Sequence, residues 1–156
     1  MLSPDKPSEG VAVPRSVEQP SPNSAGSRRS VVLCVDAELI PLSLRKLTLE
    51  KAGYEVISAS SGEEGLRLAD SGKIDLVLSD YLMPSMSGTE FATRMKEKHP
   101  HVPFIIVSGV NEKPSDATAA DQFLSKLSGP AAVLEAISAA LNDARARQSL
   151  SDEGAK

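Results

Sequence analysis

Five short, nearly unbroken apolar runs punctuate this chain: VVLCV (31–35), YEVIS (54–58), IDLVLS (74–79), PFIIVSG (103–109) and QFLS (122–125). Runs of this length are too short for core helices, and their valine and isoleucine content favours an extended backbone. A strand that is apolar at successive positions must be covered on both faces. Segments with helical periodicity lie between the runs. Together they imply an α/β domain, a parallel five-stranded sheet between two helical layers.

The intervening segments carry helix punctuation. In LIPLSLRKLTLEKAG (39–53), Leu44, Leu47 and Ala52 are expected inward, Pro41 is tolerable in the first turn, and Gly53 ends the helix. Ser61 with Glu64 forms a capping box ahead of a short helix through Leu68 and Ala69. Ser87 with Glu90 repeats it, and Phe91 and Met95 mark the inner face that follows. A last helix begins at GPAAVLEA, with Val133, Ile137 and Leu141 on one stripe. Between the fourth and fifth strands, Pro114 would cost ~3 kcal/mol in a helix interior, so it is expected at a helix start. The fourth helix is then at most 114–120, about two turns.

The folded unit spans 31–142. Residues 1–30 hold five of the eleven prolines and seven serines, too little apolar surface to offset ordering, and are expected to form a disordered arm. Residues 143–156 form a polar C-terminal tail. Within 31–142, ten basic side chains face fifteen acidic ones, which argues against direct binding of nucleic acid. No stretch approaches the ~20 apolar residues of a membrane span, and the N-terminus lacks the apolar region of a signal peptide. The lone Cys34 reads as a buried strand residue in a reducing compartment, so a soluble cytoplasmic protein is expected. His99 and His101 lack metal-ligand spacing, and the glycines of GEEG and SGK lack the arrangement of a phosphate-cradling loop.

In parallel sheets the functional crevice lies at the carboxyl ends of the strands. Asp36, Asp80, Ser108 and Lys126 end four of these five strands and are expected to converge. Two neighbouring carboxylates raise each other's pKa unless a cation keeps both ionised. Mg²⁺ suits such oxygen ligands and tolerates few of them from protein. Asp80 would then act as nucleophile toward a phosphoryl group. Lys126 and Mg²⁺ would neutralise the phosphoryl oxygens, and Ser108 would donate a hydrogen bond to one.

On SDYLMPSMSG (79–88), VDAE (35–38), IIVSG (105–109) and FLSK (123–126), the chain resembles the receiver domain of two-component response regulators. The resemblance covers essentially all of 31–142. It implies a flavodoxin-like (βα)5 fold with strand order 2-1-3-4-5. It further implies Asp80 as phosphoacceptor, Asp36 as an acidic-pocket residue, Ser108 as switch hydroxyl and Lys126 as pocket lysine. Phe123 falls at the switch aromatic and the Leu82 carbonyl at the backbone metal ligand. The implied cofactor is Mg²⁺, weakly held. The implied partners are a histidine kinase or phosphotransfer protein and a downstream protein effector. The expected role is that of a stand-alone signalling receiver in a phosphorelay, not an enzyme; the alternative is a pseudo-receiver that binds protein without being phosphorylated.

Three departures from the family pattern stand out. The second acid after strand 1, a direct Mg²⁺ ligand in the family, is Ala37 here. Glu38 next to it reads either as a helix N-terminal acid favoured by the dipole or as a substitute ligand. Leu127 follows Lys126 where most receivers carry proline. The fourth helix is shortened, which would move partner binding toward the first helix or the last.

Overall fold

A computed structural model of the chain describes residues 29–109 and 119–154. The proline-rich arm before Arg29 and the expected helix start at Pro114 lie outside the described residues. The elements are β1 (Val31–Val35), α1 (Leu39–Lys51), β2 (Glu55–Ala59), α2 (Gly62–Ser71), β3 (Leu76–Asp80), α3 (Gly88–Lys98), β4 (Phe104–Ser108), β5 (Gln122–Ser125) and α4 (Gly129–Gly154). A 3-10 turn, Lys126–Ser128, joins β5 to α4.

The strands form one parallel sheet in the order β2-β1-β3-β4-β5, as the apolar runs and the family resemblance imply. Side chains alternate across a strand, so β1 feeds two cores. Val31, Leu33 and Val35 point to the layer of α2 and α3, where Ala69, Phe91, Ala92 and Met95 pack. Val32 and Cys34 point to the layer of α1 and α4, with Leu42, Leu49, Ile137 and Leu141. Phe91 meets Phe104 edge-on, with ring centroids 5.1 Å apart. β5 is the edge strand and its residues are exposed or only partly buried, consistent with its shorter and more polar sequence.

One expectation about the helices needs correction. Leu44 and Leu47 do not face inward: they are 60% and 51% exposed, and the buried residues of α1 are Leu42 and Leu49, with Ala52 partly buried. Leucine and isoleucine occur all round this helix, so their positions alone do not define its inner face. The polar tail 143–156 is helical in its described part, because α4 runs on to Gly154. Burial and helicity part company there: among the described residues Leu141 is the last that is buried, while the alanines and arginines at 144–147 are good helix formers. Arg145 nevertheless reaches the start of the domain, with Nη2 donating to Ser30 Oγ at 2.9 Å.

Both N-terminal serines cap as expected, with Ser61 Oγ accepting from the Glu64 N–H at 3.1 Å and Ser87 Oγ from the Glu90 N–H at 3.2 Å. The Glu64 carboxylate returns to the Ser60 N–H, one residue before the cap, and Glu90 pairs with Arg94 instead.

Candidate functional site

The strand-end residues meet at the carboxyl edge of the sheet. Asp36 directly follows β1 and is fully buried, while Asp80 closes β3 at 6% exposure and Ser108 closes β4 at 3%. In the parallel register Asp80 lies opposite Val107, and Ser108 opposite Ser125, so β3, β4 and β5 end within a residue of one another. Lys126, the first residue past β5, reaches back to place Nζ 3.0 Å from Asp80 Oδ1.

The turn after Asp80 is built by the residues of the motif. The Tyr81 N–H extends the β-ladder to the Val107 carbonyl at 3.0 Å, and the Met86 N–H bonds the Pro84 carbonyl at 2.7 Å. The chain then folds back so tightly that the Gly88 N–H donates to the Tyr81 carbonyl at 2.8 Å. A side chain at Gly88 would collide with the Asp80 carbonyl oxygen and stand 3.1 Å from Tyr81 Cα. The glycine eight positions after the aspartate is thus required by close backbone approach. Met86, buried, packs against Gly62 at the start of α2 and fixes the far side of the turn.

Asp36 is held on three sides. Its own N–H donates to the Ala59 carbonyl at 3.2 Å, and its Oδ1 accepts from the Glu38 N–H at 2.9 Å. Its Oδ2 faces Arg45 Nη1 at 3.4 Å, with the arginine side chain only 15% exposed. Arg45 was absent from the residues expected here. Its signal was available: position 45 falls between Leu42 and Leu49 on the inner face of α1, and an arginine on a buried face implies a buried acid. With Leu44 and Leu47 taken as inward, Arg45 faces solvent, which hid it.

Burial pushes the Asp80 carboxyl above its usual range, and the Asp36 charge adds to the rise; the hydrogen bond and charge of Lys126, and the charge of Arg45, act against it. Two carboxylates and two cations share this edge. Behind them Cys34, also fully buried, has its thiol pushed up to about 11, chiefly by burial and against the lowering effect of Arg45.

The remaining expected residues fall around this centre. Leu82 lies in the turn two residues beyond Asp80, its side chain 68% exposed. Phe123 is half-buried in β5 and packs on the α2–α3 side of the sheet. Ala37 and Glu38 are exposed at the entrance to α1. Leu127, at the position of the family's proline, uses the donor that proline lacks: its N–H bonds Ser125 Oγ at 3.0 Å.

Hard divalent cations take oxygen ligands, and Mg²⁺ keeps several waters. Asp36, Asp80 and the Leu82 carbonyl fit that chemistry, with a lean donor set. Among the described residues no cluster of three His, Cys, Asp or Glu side chains forms a candidate metal site, and Glu38 is exposed. One oxygen of Asp36 also faces a resident cation, Arg45.

The family model described as the response regulator receiver domain matches residues 32–138. The transcriptional regulatory protein GlrR of Escherichia coli is 38% identical over 115 residues, a match covering 70% of this chain and 26% of that protein. The chain therefore spans about a quarter of that relative. A CheY-like receiver domain protein from Methanospirillum hungatei superposes with a TM-score of 0.72 at 28% identity, covering 76% of this chain and 98% of that one. The response regulator TrrA of Thermotoga maritima, solved in complex with Mg²⁺-BeF, gives 0.68 at 30% identity, covering 71% and 98%.

Proposed function

The chain belongs to the response regulator receiver family of two-component signalling, and on that premise we propose that it accepts a phosphoryl group on Asp80 from a histidine kinase or phosphotransfer protein and signals through a partner protein. The observation that carries this reading is the buried carboxylate of Asp80, in the SDYLMPSMSG motif, paired at 3.0 Å with the ammonium of Lys126 beyond β5. With a phosphohistidine donor, an Asp80 oxygen attacks phosphorus as the P–N bond breaks. The electron pair leaves with the imidazole and an acyl phosphate remains. Lys126 neutralises the charge on the phosphoryl oxygens, and the Ser108 hydroxyl donates to one of them. Mg²⁺, held by Asp36, Asp80 and the Leu82 carbonyl, would supply the rest of the neutralising charge. The role is that of a signalling module in the cytoplasm, not an enzyme. Among the described residues no helix is long and apolar enough to cross a membrane.

The partner surface we favour is α1, where Leu39, Ile40, Leu44 and Leu47 are all more than half exposed. Contiguous exposed apolar side chains of this kind mark interaction sites.

A second reading, a binding module that is never phosphorylated, draws on Ala37 and on the Arg45–Asp36 pair, which leave the pocket short of metal ligands. One experiment separates the two. The protein is incubated with Mg²⁺ and a small phosphodonor, and its intact mass is recorded beside that of Asp80→Asn. The first reading expects one added phosphoryl group in the wild type and none in the variant. No gain in either supports the second.

A further inference from the structure

Arg45 is an unusual occupant of this pocket. It comes from α1, on the face turned toward the sheet, and places its guanidinium against a carboxylate with no exposed surface. A buried carboxylate left without a partner is costly, so some cation must stand beside Asp36. Among the described residues the one salt bridge to Asp36 comes from Arg45. The charges of Asp36, Asp80, Arg45 and Lys126 sum to zero, so the pocket is already neutral.

Geometry sets the rest. Asp36 Oδ1 is fixed by the Glu38 backbone at 2.9 Å, whereas Oδ2 sits at 3.4 Å from Arg45 Nη1, a loose contact for a charge-assisted pair. Oδ2 is thus the oxygen that can change partners. Arg45 also lines a groove of about 310 Å³ between α1 and α4, with Pro41, Leu44, Lys126, Pro130 and Val133. A displaced guanidinium has somewhere to go, and it would move into the cleft beneath the exposed leucine face of α1.

We propose that Arg45 is the built-in counter-ion of this receiver: it neutralises Asp36 when no metal is present, competes with a divalent cation for Asp36 Oδ2, and on release carries the state of the pocket into the α1–α4 groove. This rests on the reading of the site as a Mg²⁺-assisted phosphoacceptor. It makes weak metal binding a consequence of an added cation as well as of the missing acid at Ala37.

The test is a calorimetric titration of Mg²⁺ into wild type, Arg45→Leu and Arg45→Lys. Arg45→Leu removes the competitor and should bind Mg²⁺ about tenfold more tightly, the lower end of the range over which groups around a metal site alter affinity. Arg45→Lys keeps the charge and should stay close to wild type. Without metal, Arg45→Leu should melt below wild type, and saturating Mg²⁺ should raise its midpoint more than it raises that of wild type. A second measurement needs no variant to fold as designed: the side-chain Nε–H resonance of Arg45, followed by NMR in the wild-type protein, should shift as Mg²⁺ saturates. Equal affinities in wild type and Arg45→Leu, Arg45→Lys binding as tightly as Arg45→Leu, or an unmoved Arg45 resonance would each overturn the proposal. Phosphoryl uptake is read separately by intact mass. Uptake with equal Mg²⁺ affinities defeats the role of Arg45 alone, and its absence defeats the phosphoacceptor reading while the titration still decides Arg45.

Discussion

Replacing Gly88 by alanine tests whether the turn after Asp80 is held by backbone packing. A Cβ at this position would meet the Asp80 carbonyl oxygen, with Tyr81 Cα at 3.1 Å and the Asp80 carbonyl carbon at 3.3 Å. All three are backbone atoms at the end of a central strand, so no side chain can rotate aside. Either the start of α3 retreats or residues 80–81 are pushed. Overpacking of this kind costs about 1–3 kcal/mol. Against it stands a gain of ~0.4–1 kcal/mol, because alanine restricts the unfolded chain more than glycine does. The net expectation is a loss of about 1–2 kcal/mol, or a fall in melting temperature of roughly 4–8 °C for a domain of this size. Urea unfolding gives the loss directly, read as a lower midpoint at unchanged slope. Phosphoryl uptake should fall as well, by up to ~100-fold if Asp80 moves by ~1 Å. Gly72→Ala is the control. Its nearest neighbour would be the Leu68 carbonyl oxygen at 3.8 Å, an ordinary contact, and its φ of −151° suits any residue. Gly88→Ala as stable as Gly72→Ala, with uptake unchanged, would refute the claim that close approach dictates this glycine.

Asp80→Asn should raise stability at neutral pH, since burial holds the Asp80 carboxyl above its ordinary range. A raised carboxyl pKa means that the ionised form opposes folding, so its cost is full above the folded-state pKa and is relieved as pH falls through it. The advantage of the variant should therefore shrink on acidification, and thermal melts across that range would show whether it does. Ala37→Asp should tighten Mg²⁺ binding by at least ~10-fold, because a direct ligand should count for no less than an outer-shell one; calorimetry reading equal affinities would mean that another group already fills the vacancy. Leu44→Asp should slow phosphotransfer from a cognate kinase while leaving uptake from a small phosphodonor unchanged, and equal slowing in both assays would remove α1 as the docking face.

The strand-end residues were legible because a parallel sheet converts one-dimensional order into a shared edge: once 31–35, 74–79, 103–109 and 122–125 are strands, Asp36, Asp80, Ser108 and Lys126 have to meet there. Gly88 is legible as part of the motif, though its cause, the collision with Asp80, arises only once the chain folds back on itself. Arg45 was not legible in this way. Choosing the inner face of α1 requires knowing which of six aliphatic side chains the sheet can accept, and Leu39, Ile40, Leu44 and Leu47 all lie on the wrong side for the core. The extent of α4 is not legible for a related reason. Apolar spacing reports what a helix packs against and falls silent where it projects beyond the core, although the backbone hydrogen bonds continue.

Cys34 gives this protein a reporter of its own. It is the sole thiol in the chain, it lies within β1 with no exposed surface, and burial pushes its pKa up to about 11. An alkylating reagent needs a thiolate it can reach. In the closed state it finds neither, so the rate of covalent labelling counts excursions in which this interior strand comes free of its neighbours. Because β1 is hydrogen-bonded to both β2 and β3, those excursions are close to global. Labelling kinetics on the unmodified sequence would thus time the opening of the sheet, with and without phosphodonor, without a probe having to be introduced.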